Sequence, residues 1–250
     1  GCRCEAKLEI DRSSECGSDR IHRFVLQGMA DNREAFAGTK AKHLAYVEPE
    51  HGAGSGLINT LAEKSCVVVT DDFPCFFLPR MLKSVARRLP VCLEAVDSNG
   101  LLPLRATDNV FPTAYSFRRF LQKQLPDYML DLPEPDPLSE ANIPEFDRLP
   151  SGVRKRWPDA SAVLLHGTPE SLSGVPVDHG VRAAIFDGGP HAATMALDRF
   201  VEHRLARYAD GRNQPENEVA SGLSPYLHFG HVSAHEIFAR VIQRENWSES

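Results

Sequence analysis

Apolar residues in the first half of the chain alternate between helical and extended patterns. Helical spacing predicts one helix over residues 22–36 and another over 78–89. Short apolar runs predict strands at 43–47, 66–70 and 91–96. Strands that recur about every 24 residues with helices between them are typical of βαβ units, so we expect a parallel sheet.

The second half has a different pattern. Prolines and acidic residues dominate 126–150, which predicts an extended linker. Helical spacing returns after Ala193, with an apolar stripe formed by Leu197, Phe200, Val201, Leu205 and Tyr208. Ser233 and Glu236 have the spacing of a capping box, which predicts a helix that runs through Val241. The predicted fold class is therefore α/β: a Rossmann-like parallel-sheet domain, then a linker, then helices.

Composition narrows the class of protein. The 250-residue chain has no apolar run of about 18 residues and no apolar signal-peptide core, so we expect no membrane contact. Its six cysteines lie at irregular spacings, and the Cys2/Cys4 pair has no second pair to complete a zinc site. We therefore expect reduced thiols, no metal and a cytoplasmic location.

The charges are unevenly placed along the chain. The formal net charge of −6 argues weakly against a nucleic-acid partner. However, 80–125 holds eight Lys or Arg against three Asp or Glu, whereas 127–150 holds seven Asp or Glu against one Arg. Such blocks are most simply two solvated faces, although a local basic surface is also compatible with a phosphate backbone.

A Ser-Gly-Leu-Ser-Pro sequence begins at Ser221 and joins a polar loop to a predicted helix. Ser224 fits the N-cap position and Pro225 the first helical position. Because the first N–H groups of a helix have no partner within it and carry partial positive charge, such a turn binds phosphate readily. We expect Ser221 and Ser224 to face one diphosphate. Gly222 would allow close backbone approach, and Leu223 would pack beneath the turn.

This stretch resembles the flavin-binding signature of the photolyase/cryptochrome family. The resemblance is carried by Tyr208, by the Arg212-Asn213 pair and by 221–230, which reads Ser-Gly-Leu-Ser-Pro-Tyr-Leu-His-Phe-Gly. The last six of these residues are most similar to the class II branch of DNA photolyases. The similarity covers most of 19–247, with further matching segments at 21–28, 67–74, 89–99 and 157–165.

The resemblance implies FAD as the cofactor. It assigns contacts with FAD to Tyr208 and to the turn formed by Ala220, Ser221, Gly222, Leu223 and Ser224. Ala220 stands where many relatives have threonine, so one hydroxyl contact is missing. As an alternative, Tyr208 closes the apolar stripe of its helix. Arg212 matches a position near the DNA phosphates, and an ion pair with Asp210 or Glu216 is its alternative.

The resemblance also implies three regions: 19–125 form an α/β domain, 126–160 form a linker, and 161–250 begin a helical FAD-binding domain. Residues 1–18 are rich in cysteine, charged and without a hydrophobic period, so they are unassigned and predicted to be disordered. The first strand of the family and most of the FAD-binding domain are not recognisable. We therefore expect the chain to be a fragment.

For a complete member, the resemblance implies light-driven repair of cyclobutane pyrimidine dimers in damaged DNA, by electron transfer from reduced FAD. It also implies a monomer and a second antenna chromophore of unknown identity. We expect no catalytic side chain in this chain, and neither tight FAD binding nor repair by it. A cryptochrome-like photoreceptor is the alternative. A third hypothesis is a generic domain that binds ATP or NAD at Gly52–Gly56, unless that loop is a simple connection.

Three smaller features have both a structural and a functional interpretation. His228 and His231 are expected to be structural, because no further metal ligands lie at suitable spacing. The Asp71-Asp72 pair is assigned to capping, because adjacent strand residues point to opposite faces. The Arg118-Arg119 pair either borders the antenna chromophore or lies on the outer face of a helix.

Overall fold

The computed structural model describes residues 17–129, 132–139, 144, 149 and 151–247. In chain order, its helices and strands are α1 (Asp19–Phe36), α2 (Leu57–Ala62), β1 (Val67–Asp71), α3 (Leu78–Ala86), β2 (Cys92–Val96), α4 (Ala114–Met129), α5 (Ser151–Arg156), α6 (Ala162–Leu165), α7 (Pro169–Leu172), α8 (Pro190–His203), α9 (Leu205–Gly211), α10 (Ser224–His228) and α11 (Ala234–Glu245). A 3₁₀ turn covers Leu104–Ala106. None of the described helices is long and apolar enough to cross a membrane.

The chain divides into two compact units. One comprises residues 1–65 and 138–231, and the other comprises 66–137 and 232–250. In the described chain, the first unit holds α1, α2 and α5 to α10, and the second holds β1, β2, α3, α4 and α11. The predicted domain boundaries rest on the family resemblance and stay a prediction.

The predicted disorder of 1–18 and part of the predicted linker fall outside the described residues. Among the described ones, Ser18 is buried and pairs with Asp178 in an isolated bridge, so order begins before residue 19. Pro126 lies inside α4, and the helix continues to Met129. The extended chain therefore does not start at Pro126, because a proline in the last turn removes only one backbone hydrogen bond and leaves the helix intact.

The first unit is built around α1, and the predicted helix over 22–36 is confirmed with an earlier start at Asp19. Leu26 and Met29 of α1 belong to a core cluster completed by Ala45, Leu165, Leu172 and Val175. A second cluster in the same unit comprises Leu44, Tyr46, Leu57, Val153 and Trp157. Each cluster therefore combines apolar side chains from the two separate stretches of sequence that form this unit.

The prediction of a strand over 43–47 is wrong. The segment is buried at its centre, as its apolar pattern requires, but its hydrogen bonds go to a loop. The carbonyl of Ala45 accepts from the Ala160 N–H at 2.6 Å, and the Ala45 N–H donates to the Asp159 carboxylate at 3.0 Å. Within 43–47 only Val47 is a bridge residue, and no described residue of the segment belongs to a strand.

Two side chains of the protein itself, Glu48 and Trp157, form hydrogen bonds with the backbone of the Gly52–Gly56 loop. The Glu48 carboxylate is 1% exposed and accepts from the Gly54 N–H at 2.6 Å. The indole N–H of Trp157 donates to the Ala53 carbonyl at 3.0 Å. These contacts favour a structural connection over a nucleotide site, because the inward-facing backbone groups already have partners.

The second unit contains the parallel pair that the sequence predicts. β1 and β2 align from Val67 opposite Cys92 to Asp71 opposite Val96. With a small parallel sheet and many helices, the predicted α/β class is confirmed. Asp71 accepts from the Ser98 hydroxyl at 2.8 Å, which supports a structural role at the strand end.

Three other features of this unit were singled out in the sequence: Asp72, the Arg118-Arg119 pair and the Ser233 cap. Asp72 pairs with Arg105 at 3.4 Å. Arg118 and Arg119 are exposed on α4, and Arg119 lies 6.0 Å from the centre of the Tyr115 ring. The Ser233 hydroxyl accepts from the Glu236 N–H at 2.9 Å, so the predicted cap at the start of α11 is confirmed.

His22 makes the stability of the first unit pH-dependent. It is 6% exposed, and burial lowers its pKa below the ordinary value of 6.5, although the Ser18 carbonyl and Asp19 oppose the shift. As pH falls below about 6.5, His22 becomes protonated in the unfolded chain while it stays neutral in the folded chain. The free energy of unfolding therefore decreases as pH falls from about 6.5 toward the lower pKa of the folded state. In that range we expect the free energy of unfolding to decrease by at most about 1.4 kcal/mol per pH unit.

Chemical denaturation of the chain between about pH 7.5 and about pH 5 measures this effect. His22→Asn retains a donor for the Ser18 carbonyl but does not titrate, so its stability should vary less with pH. His166→Asn, at an exposed histidine, serves as the control and should behave like the unaltered chain. Equal pH dependence of the His22→Asn and unaltered chains would contradict the assignment.

Candidate functional site

The turn predicted to bind diphosphate lies between α9 and α10 with its polar groups accessible. The side chain of Leu223 is only 2% exposed and anchors the turn in the interior. Gly222 has φ +73° and would have nothing within 4 Å of an added Cβ, so its outer side is open. Ser224 is exposed and Ser221 is half-buried. The turn thus presents backbone and hydroxyl groups around an open glycine.

The capping prediction at this turn needs a correction. Leu223, with φ −87° and ψ −10°, is the N-cap of α10, and Ser224 is the first helical residue with Pro225 second. The Ser221 hydroxyl instead accepts from the Leu223 N–H at 3.4 Å, which stabilises the turn one step earlier. Because no side chain caps α10, the Ser224 hydroxyl is not used for capping.

The turn is connected to α9 at both ends of that helix. Arg204, which separates α8 from α9, donates from its guanidinium to the Ala220 carbonyl at 3.2 Å. At the other end, Gly211 lies so close to Val219 that an added Cβ would come within 2.6 Å of the valine methyl. The apolar stripe predicted through Tyr208 thus spans two helices that meet at Arg204, whose guanidinium lies beside the turn.

Tyr208 lies on α9 between those two connections. Its ring packs edge-on against Phe200 at 5.2 Å, and the Arg212 guanidinium lies 5.7 Å from the ring centre. Tyr208 is half-buried, so it both completes the apolar stripe and keeps part of its surface accessible. In the described chain, no ion pair joins Arg212 to Asp210 or Glu216, and Arg212 is exposed.

An open cavity of about 630 Å³ lies beside α9. Its walls come from α9 and from the loop that precedes the turn, and its polar lining includes Arg207, Asp210, Glu216, Asn217 and Glu218. Neither Tyr208 nor the turn residues line it. The structure therefore places the predicted site residues around α9 without bringing them into this cavity.

A network from α1 supports α10 from the opposite side. The Tyr226 hydroxyl, in a residue only 5% exposed, donates to the Asp187 carbonyl at 3.0 Å. Burial raises the pKa of Tyr226, and the Asp187 charge adds to this rise while Arg199 opposes it. The Asp187 carboxylate in turn accepts from Arg23 at 2.5 Å and from Gln27 at 2.9 Å. Sequence reasoning missed this network because its partners lie about 160 residues apart.

The two histidines after the turn have structural surroundings. His231 accepts through Nδ1 from the Gly189 N–H at 2.8 Å and stacks on Phe24 at 4.8 Å. His228 is exposed, with its ring edge-on to Phe229. Among the described residues, no group of three or more His, Cys, Asp or Glu could hold a metal ion.

The residues present fit the diphosphate part of FAD. Ser224 supplies an unused hydroxyl, and the first N–H groups of α10 lack partners within the helix. Gly222 leaves space for an anion to approach the backbone, and Arg204 adds positive charge nearby. The arrangement can bind and orient a diphosphate.

Similarity to known proteins was found at the level of sequence. The chain is 29% identical over 224 residues to the deoxyribodipyrimidine photo-lyase of Oryza sativa subsp. japonica, across 84% of this chain and 40% of the relative. It is 28% identical over 178 residues to the enzyme of that name from Arabidopsis thaliana, across 67% of this chain and 33% of the relative. No family model matches the chain.

A third relative, from Methanothermobacter thermautotrophicus, carries the same name and is 25% identical over 221 residues, across 86% of this chain and 44% of its own. In structure, the chain is similar to a bacterial class III photolyase from Agrobacterium tumefaciens, with TM-score 0.56 and 16% identity over 95% of this chain and 47% of that one. The structural likeness shows the fold. The chain spans less than half the length of each of these proteins.

Proposed function

The chain belongs to the photolyase/cryptochrome family, and on that premise we propose that it contributes the diphosphate-binding part of the FAD site of a DNA photolyase. The observation that carries the proposal is the turn itself. Its anchor, Leu223, is buried while Gly222 is open and the Ser224 hydroxyl is exposed. This is the arrangement that a bound anion needs, because donors must converge on a space free of side chains.

In the proposed site, the chain binds and orients the cofactor. Ser221, Gly222 and Ser224 hold the diphosphate, Leu223 fixes the turn from below, Ala220 contributes backbone, and Tyr208 contacts the flavin from α9. Reduced FAD, when bound, supplies the electron for repair of a pyrimidine dimer. Arg212 is exposed and serves as a contact for the DNA phosphates, which gives the proposed DNA binding a salt dependence.

Repair is the better supported of the two flavin functions. The sequence relatives described above are all named for photolyase activity, which favours repair of cyclobutane pyrimidine dimers over a photoreceptor role. The class II assignment stays a prediction, because the structural neighbour is a class III enzyme whose likeness extends to the fold alone. The antenna chromophore, the monomeric state and the cytoplasmic location stay predictions as well.

We expect the 250-residue chain to bind FAD weakly and to lose it during purification. The residues that contact the diphosphate are present, but the resemblance places the residues facing the isoalloxazine outside the matched part of the family. Absorbance of the purified chain measures the retained flavin. Recovery of one FAD per chain would contradict this expectation.

Titration with FAD then tests the site. Because the turn is proposed to hold the diphosphate, ADP should compete with FAD whereas riboflavin should not. Ser221→Ala combined with Ser224→Ala should weaken FAD binding by about tenfold, as expected for the loss of two contacts with an anion. Ser233→Ala removes a true helix cap and is the control for general destabilisation. Competition by riboflavin but not by ADP would refute the proposed site.

A further inference from the structure

His231 joins three elements next to the flavin turn. Its backbone N–H donates to the Tyr226 carbonyl at 2.8 Å, which ties it to α10. Its Nδ1 accepts from the N–H of Gly189, the residue that caps α8, at 2.8 Å. Its ring stacks on Phe24 of α1 with an interplanar angle of 25°. One imidazole therefore contacts α10, α8 and α1 at once.

The contact with α1 is unusually close. Gly28 lies against the His231 ring so tightly that an added Cβ would overlap Nε2. On the other side, Gly189 has φ +95° and lies against Asp31 of α1. The imidazole is thus held between two closely packed backbone surfaces.

The hydrogen bond from Gly189 fixes the protonation state of His231. An imidazole nitrogen can accept a hydrogen bond only when it carries no proton, so the observed bond requires neutral His231 with its proton on Nε2. If Nδ1 were protonated, its N–H would face the Gly189 N–H, and the hydrogen bond between them would be lost. The bond therefore exists only while Nδ1 carries no proton.

The charged groups around the ring already have other partners. From α1, Arg23 pairs with Asp187 of the preceding loop, and Asp31 accepts from the His191 N–H at 3.0 Å. From α10 come the Tyr226 hydroxyl, which donates to the Asp187 carbonyl, and the exposed His228.

We propose that neutral His231 is the positioning residue that fixes the flavin turn, so that acid releases the turn from α1 and α8. The inference extends the proposed function, since a displaced turn would weaken FAD binding. His231 does not touch the cofactor in this scheme. It acts through α10, whose start carries Leu223 and Ser224.

Hydrogen exchange of the 250-residue chain, read on a peptide covering 221–231 and corrected for intrinsic rates, tests the positioning role without any ligand. The two conditions are about pH 8 and about pH 5.5, on either side of the ordinary imidazole value near about 6.5. We expect the unaltered chain to lose about tenfold in protection at the lower pH, as expected for one lost buried hydrogen bond.

Three variants make the test specific. His231→Asn places an acceptor at the Nδ1 position but does not titrate, so the peptide should stay protected at both pH values. His231→Leu lacks the acceptor and should be unprotected at both. His228→Asn, at the exposed histidine that ends α10, should behave like the unaltered chain. Equal protection of the His231→Leu and unaltered chains, or equal pH dependence of His231→Asn, would overturn the proposal.

FAD titration of the same four chains separates this inference from the proposed function. If both hold, FAD affinity follows the order of protection, and at about pH 8 His231→Leu binds about tenfold more weakly than His231→Asn. If exchange follows the expected order but no chain binds FAD or ADP, the positioning role stands and the proposed function fails. If all four chains bind FAD equally at both pH values, the positioning role is overturned and the proposed function stands.

Discussion

Gly222→Val is expected to weaken FAD binding by well over tenfold, the largest effect on affinity of any single change in the turn. Gly222 has φ +73°, a conformation that a β-branched residue adopts only with strain, and its outer side is empty. A valine would occupy the space through which the diphosphate approaches the backbone. The measurement is FAD titration of the variant, followed by flavin fluorescence.

Gly230→Val is the matched control for that experiment. Gly230 follows the other end of α10, has φ +69°, and is likewise free of neighbours around an added Cβ. Both substitutions should reduce the free energy of unfolding by about 1–2 kcal/mol, because both force a side chain into the left-handed region. Only Gly222→Val should affect FAD. Equal losses of affinity would mean that backbone strain, and not occupation of the site, is responsible.

Gly188→Ala is expected to destabilise the first unit more than the same substitution at any other glycine of that unit. An added Cβ would overlap the Phe24 carbonyl oxygen and lie 2.7 Å from its carbonyl carbon. Because the obstacle is the backbone of α1, no side-chain rotation can relieve it. We expect a loss of about 3 kcal/mol in the free energy of unfolding, measured by chemical denaturation.

Gly174→Ala is the control, because Gly174 is exposed and has nothing within 4 Å of an added Cβ. Its stability should stay within about 0.5 kcal/mol of the unaltered chain. If Gly188→Ala were equally mild, the close approach of the 184–189 loop to α1 would not be a feature of the folded chain in solution.

Local sequence signals predicted the elements whose partners are close along the chain. α1 and the β1/β2 pair appear where the spacing of apolar residues places them, and the Ser233 cap forms as its motif requires. Burial of Leu223 was also predictable, because it is the apolar residue within a polar turn. In each case the spacing of residues within a short stretch was enough to predict the element, although α1 packs against residues far along the chain.

Predictions failed where distant residues supply the partner. The segment 43–47 has the composition of a strand, but its backbone bonds go to Asp159 and Ala160, about 115 residues away. Ser224 has the identity of an N-cap, but the Ser221 hydroxyl stabilises the turn first and Leu223 takes the cap position. The His231 contact with Gly28 and Gly189 leaves no signal in local sequence at all.

The discontinuity of the first unit has a practical consequence for anyone dissecting this protein. Its early helix, α1, and its late helix, α10, share one interior although most of the second unit's sequence lies between them. A cut placed after the parallel strands would separate the Ser221–Ser224 turn and α10 from α1, against which α10 packs. A useful truncation must therefore keep residues from both ends of the chain, with the intervening segment replaced and not simply removed.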